Sequence, residues 1–337
     1  MLDIIIPHYT ESWEVGKKFF AMLDLQRGID YNQIHVILVN DGLENSLLDE
    51  YFENKKYSFE QISIPHAGVS AARNKGLEIA TAEWVMFCDF DDLFSNVYAL
   101  RNILSLLPAP DFDMLWADMY MEDSRDKNHI SLYNRNTENV VFTHSKIYRR
   151  KFLIENKIWF DTNLTFNEDS QFNAELHTVL DYKRDGHIIS DMPPYIWCWR
   201  SDSTTKQGNR HYEAMLCHYQ RNKNVTELHR QRLSTDRHCG MVARTVWDAY
   251  YALHNEPIPE ELAGMREDFK TWYKERKKFF FDTNIKTMKE VFRIAYAESI
   301  DDWKFTTNGI EEPNFMDEYN KLKMWLVKLE AEDISDE

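Results

Sequence analysis

The chain opens on a short β-branched run, Leu2-Asp3-Ile4-Ile5-Ile6, that stops at Pro7. Such a run reads as a strand buried on both faces, in the middle of a parallel sheet. Apolar residues at Trp13, Phe19, Phe20 and Leu23 then recur at helical spacing, which predicts a helix over 12–25. The two signals keep alternating. Residues 34–39, 59–64 and 85–88 read as strands, and 46–51 and 68–80 as helices. Strands alternating with helices predict a parallel sheet with right-handed crossovers. Beyond it, 95–107 reads as a helix closed by Pro108 and Pro110, 114–120 as a strand, and 123–139 as a polar hairpin or loop. Helices are expected over 145–156 and from Phe166 to about Leu180, with short strands at 187–190 and 195–199. From Arg210 onward strand signals fade and helical patterns dominate, so a boundary is expected near residue 208. The fold class is α/β, with an added, mainly helical C-terminal region.

Sheets of this class bind ligands beyond the carboxyl ends of their strands. Pro7-His8-Tyr9, Asn40-Asp41-Gly42, Pro65-His66-Ala67 and the segment Asp89-Phe90-Asp91-Asp92 all fall at that edge. In the last of these, an apolar run from Trp84 to Cys88 ends abruptly in three carboxylates. Strand alternation points Asp89 and Asp91 the same way. Converging carboxylates repel unless positive charge lies between them, and a divalent cation is the simplest source. Hard oxygen ligands suit Mg²⁺ or Mn²⁺, ions that usually bring a phosphate with them. An acidic turn capping the next helix is the alternative.

Composition narrows the picture. The chain has 337 residues, 43% of them hydrophobic, enough for one large α/β domain and a smaller addition. A net charge of −16 argues against general nucleic-acid binding through the phosphate backbone. The cysteines, Cys88, Cys198, Cys217 and Cys239, form no CxxC pair, so neither a zinc site nor a disulfide framework is indicated, and a reducing cytosol fits. No leader pattern and no apolar run of membrane-spanning length is present. The expected location is cytoplasmic, with peripheral attachment to the inner face of a membrane left open.

These segments together resemble the family 2 glycosyltransferases of the GT-A fold. The resemblance rests on Ile4-Ile5-Ile6-Pro7-His8-Tyr9, on Val39-Asn40-Asp41-Gly42, and on the stretch from His66 and Gly68 to Arg73-Asn74-Lys75-Gly76. It rests also on Phe87-Cys88-Asp89-Phe90-Asp91-Asp92, which is similar to the family's Asp-x-Asp. Lys146 to Arg150, then Phe166-Asn167-Glu168-Asp169, resemble the acceptor half, and Trp199-Arg200 to Ser203-Thr204 the loop over the diphosphate. The likeness covers roughly residues 1–205 and departs at Asn40, where the family more often has an acid.

The resemblance implies a catalytic domain over 1–208, with a nucleotide-sugar half at 1–110 and an acceptor half at 111–208, and leaves 209–337 as a helical region. It implies Asp91 as metal ligand, Asp89 as a contact to the donor's ribose or a support of the metal shell, and Mn²⁺ or Mg²⁺ as cofactor. Asp92 either helps or caps the following helix. Donor contacts are implied for Pro7, Tyr9, Glu11, Asp41, Arg73, Asn74, Arg200, Ser203 and Thr204. At Asp41 the alternative is a turn-forming acid before glycine, and at Arg73 a structural ion pair. Asp169 is the implied general base, ionised if its pKa stays near 4, and Glu168 positions it or binds acceptor hydroxyls. Trp116, Tyr120 and Trp159 offer stacking surfaces or ordinary core. His211, His218, Arg221, His229 and Arg232 fall on one stripe if their stretch is a single helix, facing an anionic acceptor or simply solvent.

The function expected is inverting, metal-dependent transfer of a hexosyl or N-acetylhexosaminyl group in polysaccharide biosynthesis. The donor is a nucleotide-diphosphate sugar, UDP by family habit, and the acceptor a hydroxyl of a glycan or other polymer. A homo-oligomer through the helical region is open. One rival is a non-catalytic module binding a nucleotide sugar or glycan. The other is a sugar nucleotidyltransferase, which wants a glycine-rich phosphate loop with lysine after the first strand; Pro7-His8-Tyr9-Thr10-Glu11 has neither.

Overall fold

The computed structural model describes residues 1–42, 49–107, 111–123, 131–135, 141–188, 192–200, 211–232, 235–255, 257–282, 289–296 and 315–335. The chain divides into two compact units, Met1–Gln207 and Gly208–Glu337.

In the first unit the expected alternation appears as β1 (Leu2–His8), α1 (Trp13–Asp24), β2 (Ile34–Asp41), α2 (Asp49–Phe52), β3 (Ser58–Ile64), α3 (Val69–Ile79) and β4 (Trp84–Phe87). It continues through β5 (Leu93–Phe94), α4 (Ala99–Leu104), β6 (Met114–Trp116), β7 (Met119–Asp123), β8 (Ser131–Arg135), β9 (Lys146–Arg149), α5 (Arg150–Glu155) and α6 (Glu168–His177). It ends on β10 (Asp185–His187) and β11 (Tyr195–Trp197). The main sheet runs β10-β6-β9-β4-β1-β2-β3 and a second runs β5-β11-β7-β8. Strands β4, β1, β2 and β3 are parallel neighbours, and β9 lies antiparallel between β4 and β6.

Side chains of the central strands alternate between two cores. Ile4, Ile6, Val36, Leu38, Trp84 and Met86 pack with Phe19, Phe20 and Leu23 of α1 and Leu100 of α4. Ile5, Ile37, Val39, Val85 and Phe87 pack on the other face with Leu77 of α3 and Phe172 and Leu176 of α6. Each such aliphatic, fully withdrawn from water, contributes roughly 1.5–3 kcal/mol. Asp3, buried at the far end of β1, accepts from the amides of Thr81 and Ala82 at 2.7 and 2.8 Å, so its charge is satisfied away from the ligand edge.

Two expectations need correction. The helix expected over 145–156 begins only at Arg150, because Lys146-Ile147-Tyr148-Arg149 is a strand. Its residues gain two strand partners, which local helix propensity cannot match. The single strand expected over 114–120 is two, β6 and β7, one in each sheet. Of the aromatics weighed for stacking, Trp116 is 7% exposed and lies against His187 with ring centroids 3.8 Å apart, a core position.

The second unit includes α7 (His211–Arg232), α8 (Thr235–Leu253), α9 (Ala263–Asp282) and α10 (Phe315–Ser335). Tyr219, Val246, Trp247, Phe269, Trp272 and Leu322 form its core. The basic stripe does lie on one helix, α7, but it is not a solvated face throughout. Arg221 is buried and bonds Asn222, which in turn bonds Asp248 of α8. Burial and the guanidinium groups of Arg244 and Arg221 push His218 down to about 4. Among the described residues no helix is long and apolar enough to cross a membrane.

Gly16 lets α1 approach the acidic segment, for a Cβ there would stand 2.1 Å from the Phe90 ring. Gly16→Ala is therefore expected to destabilise the protein by about 1–3 kcal/mol through overpacking. A urea titration followed by tryptophan fluorescence checks this; an unchanged midpoint would show that Phe90 moves aside freely.

Candidate active site

The acidic segment continues beyond β4, and the Cys88 amide still bonds the Ile5 carbonyl at 3.0 Å. Phe90 turns into the core beneath α1, at 2% exposure, and Asp92 is similarly buried at 1%. The Asp89 and Asp91 side chains stay 28% and 24% exposed, although the strand has already given way to a turn in which the Asp92 amide bonds the Asp89 carbonyl at 3.3 Å. Asp92 accepts from the Tyr195 hydroxyl at 2.7 Å and the Cys198 amide at 2.8 Å, which ties the segment to β11. The Tyr195 oxygen also accepts from the Asp89 amide at 3.1 Å.

Asp89 meets two cations. Its Oδ1 accepts from Arg73 Nη2 at 2.9 Å, and its Oδ2 lies 3.0 Å from His144 Nε2. Burial alone would raise this carboxyl, but Arg73 and His144 overcome burial and hold it well below the usual range. The same carboxylates overcome the effect of burial on His144 and raise its pKa, so the imidazolium form is favoured. Asp91 behaves differently. Burial and the charge of Asp89 push it up to about 6, against the opposing pull of Arg200, whose Nη1 donates to Asp91 Oδ2 at 3.1 Å.

Arg73 carries the connection to α6. Its Nη1 donates to Glu168 Oε1 at 2.8 Å, so one guanidinium, 4% exposed, joins the acidic segment to the first turn of α6. Asp169 follows, and its Oδ1 accepts from the Ser170 amide at 2.7 Å. An acid in this first turn also faces the favourable end of the helix dipole. Even so, burial and the neighbouring Glu168 push Asp169 up to about 7, although Arg73 and His144 oppose this. The expected pKa near 4 is thus corrected: this carboxyl is poised near neutrality.

At the outer end of β1 and β2 the expected donor contacts have mixed placements. Pro7 lies in β1 and is partly buried. Tyr9 is exposed and stacks on His66, with ring centroids 4.3 Å apart. The Glu11 carboxylate accepts from the Tyr9 amide at 3.0 Å. Asp41 is buried and accepts from the Ala67 and Gly68 amides at 2.7 and 2.9 Å, and lies 2.8 Å from His66 Nδ1. It holds the turn into α3, where Gly68 adopts φ +90°, a conformation glycine enters without strain.

Asn74, expected at the nucleotide, is committed elsewhere: its amide donates to the Phe160 carbonyl at 2.8 Å and accepts from the Phe160 amide at 2.9 Å. Arg73, weighed as a nucleotide contact or an ion pair, is an ion pair here. Ser203 and Thr204 lie outside the described residues. Sequence reasoning passed over His144 and Tyr195. The only signal for His144 is its place in Thr143-His144-Ser145-Lys146, where a polar cluster runs into an apolar strand.

Asp89, Asp92 and His144 bring donor atoms within 4.8 Å of one another, close enough for a cation to bind among them. Each has protein partners, and so has Asp91, which Arg200 holds; Asp89 and Asp91 are the two partly accessible acids of the segment. An oxygen donor of this kind fits a hard divalent ion.

A family model described as glycosyl transferase family 2 matches residues 3–172. Among curated proteins, the chain is 24% identical over 224 residues to an uncharacterized glycosyltransferase, EpsJ, of Bacillus subtilis, covering 57% of this chain and 64% of that one. It is 24% identical over 311 residues to a poly(ribitol-phosphate) beta-glucosyltransferase of Bacillus spizizenii, covering 77% and 45%. The chain thus spans about half to two-thirds of these relatives. Among solved structures, S. aureus TarS 1–349 in complex with UDP-GlcNAc superposes with a TM-score of 0.61 at 17% identity, covering 90% of this chain and 89% of that one. At that identity the likeness shows the fold.

Replacing Arg73 leaves Asp89 and Glu168 facing each other without their shared cation. Arg73→Met is expected to destabilise by about 3–5 kcal/mol at neutral pH, as for other broken buried pairs. Asp89 has a depressed folded pKa, so its pairing is fully present above the unfolded carboxyl value of about 3.9 and fades as pH falls below it. Denaturant titrations of both proteins down a pH series check this: the gap should persist to about pH 4 and close only below.

Proposed function

The chain belongs to glycosyl transferase family 2, and on that premise we propose that it is an inverting, metal-dependent glycosyltransferase. It moves a sugar from a UDP-sugar to a hydroxyl of a polymer. The observation that carries this reading is the Arg73 bridge, in which one buried guanidinium binds both Asp89 and Glu168. It brings the metal-binding type of motif and a carboxyl poised near neutrality into one site. A protein that merely binds glycans has no need of that pairing.

In this reading Asp91 would hold the divalent ion, with Asp89 beside it, and the chemistry the ion would supply is positive charge for the departing diphosphate. Asp169 takes the proton of the acceptor hydroxyl as that oxygen attacks the anomeric carbon. A base titrating near 7 is matched to a hydroxyl whose acidity rises only in the transition state. Glu168, held by Arg73, orients the acceptor. Tyr9 and His66 offer a stacked aromatic wall for the base, with Pro7, Glu11 and Asp41 shaping the pocket. Arg200 exchanges Asp91 for a phosphate oxygen, with Ser203 and Thr204 on the same loop. Residues 1–110 thus serve the donor and 111–208 the acceptor, except that Arg200, Ser203 and Thr204 reach back to the donor diphosphate.

The TarS complex with UDP-GlcNAc supports UDP as nucleotide, and the relatives named for poly(ribitol-phosphate) support a phosphate-bearing polymer as acceptor. Mn²⁺ or Mg²⁺ is the proposed ion, and work at the inner face of a membrane without crossing it is the proposed setting.

Thermal-shift screening of UDP-sugars with Mn²⁺, followed by a UDP-release assay, tests the proposal. Asp169→Asn is expected to lower turnover by about 10²–10⁴-fold with UDP binding retained, and Asp91→Ala to abolish the Mn²⁺ dependence of UDP binding. Stabilisation by donor without turnover in the wild type would return the reading to a binding module. Turnover should also rise through about pH 7, because the base works only when deprotonated and burial holds its pKa there. A profile flat from pH 5 to 9 would remove Asp169 from that role.

A further inference from the structure

Lys146 is a buried lysine that the scheme above leaves unused. It opens β9, is fully buried, and its ammonium donates to the Phe142 carbonyl. An ammonium has three donors, and this is its one hydrogen bond among the described residues. The Phe142 carbonyl accepts a second bond, from Asn173 Nδ2 at 2.9 Å. Asn173 also donates to the Asp169 carbonyl at 3.1 Å and accepts from the Tyr148 hydroxyl at 2.9 Å. Lys146 and Asn173 therefore meet on one oxygen, from β9 on one side and the first turns of α6 on the other.

The same turn carries His144 to Asp89. Ser145 takes φ 59°, unusual for a residue with a side chain, and its hydroxyl donates to the Asp118 carbonyl at 3.0 Å. The Lys146 side chain folds back across this turn and closes it. The charges in the cleft add a second argument. Asp89, Asp91, Asp92, Glu168 and Asp169 face Arg73, His144 and Arg200, each of which touches a carboxylate directly. Among the described residues Lys146 touches none of these carboxylates directly; it is tied to the turn of α6 that carries Asp169 through the Phe142 carbonyl it shares with Asn173.

We infer that Lys146 is a positioning residue for the transfer reaction: anchored on the Phe142 carbonyl, it closes the turn that carries His144, and it does so on the same oxygen through which Asn173 ties that turn to α6 beside Asp169. The inference rests on the glycosyltransferase reading and adds a residue to it. Burial lowers the Lys146 ammonium to about 7, and the nearby carboxylates of Asp169 and Asp185 pull the other way. Each of Lys146 and Asp169 therefore ionises more readily when the other is charged. The remaining groups facing the pair are Glu168, Arg73, His144 and the Tyr148 hydroxyl.

The test compares Lys146→Met, which keeps the apolar stem and removes the charge, with Lys146→Arg. UDP release from UDP-GlcNAc and from UDP-glucose is measured with Mn²⁺, water serving as acceptor, across a pH series. Donor affinity is measured by calorimetry and Tm by melting. The expected result for Lys146→Met is turnover lower by about tenfold, donor affinity within about twofold, and the acid limb of the pH profile moved up by about one unit. Its Tm should be unchanged or higher, since a buried charge with a single hydrogen bond is destabilising. Lys146→Arg should recover most of the turnover. The inference is overturned if Lys146→Met turns over like the wild type, if its acid limb stays put, or if it fails to fold. Silence of the wild type with both donors would instead count against the glycosyltransferase reading itself.

Discussion

The structure of the site depends on one electrostatic constraint: carboxylates from separate segments must share a small volume without repelling it open. Arg73 meets the constraint most directly. It is buried, planar and double-ended, and it takes Asp89 with one nitrogen and Glu168 with the other. A guanidinium suits this task because its fork reaches two acceptors at once and does not deprotonate. His144 supplies the second charge, against Asp89, and Arg200 the third, against Asp91. Each cation comes from a different part of the first unit, so the balance exists only when β4, α3, α6 and the turn before β9 are all in place.

The main sheet makes that convergence possible. Parallel strands β1, β2 and β4 end at one edge, and their side chains alternate into two cores that fix the sheet from both faces. Phe90 extends the alternation past the end of β4 and occupies the space left by Gly16, so its flanking acids are turned outward as a pair. The antiparallel insertion of β9 between β4 and β6 then joins the later strands of the first unit to the sheet of β1 to β4. In the proposed reading, substrate geometry follows from strand order more than from any loop.

What the sequence made legible follows from how local each signal is. The β-branched run at Ile4-Ile5-Ile6 and the helical spacing of Phe19, Phe20 and Leu23 are local patterns, and they mark β1 and α1 within a residue or two. The exposure of Asp89 and Asp91 on either side of buried Phe90 matches the expected alternation, but β4 ends at Phe87 and a turn closed by the Asp92 amide on the Asp89 carbonyl produces it. β9 was illegible because a lysine at its head reads as surface, and only tertiary pairing makes it buried. Asn74 sits in the same short segment as Arg73, yet one reaches the acids and the other the Phe160 backbone, a distinction set by helix phase and by the loop packed against it. The elevated pKa of Asp169 was equally hidden, since burial and Glu168 act through the folded surroundings.

The three acids of the segment divide their work according to what else each one holds. Asp92 is bound by Tyr195 and the Cys198 amide, so it ties the acidic segment to β11. Asp89 is bound by Arg73 and His144, and through Arg73 it holds α6. Asp91 meets Arg200, which lies just past the end of β11 and is itself partly accessible. Exchanging Arg200 for another cation at Asp91 would disturb neither core nor strand pairing. The raised pKa points the same way, because it marks a carboxylate whose charge its surroundings leave under-compensated. Within the proposed mechanism, Asp91 is thus the acid that would hold a metal while Asp89 and Asp92 keep the frame intact.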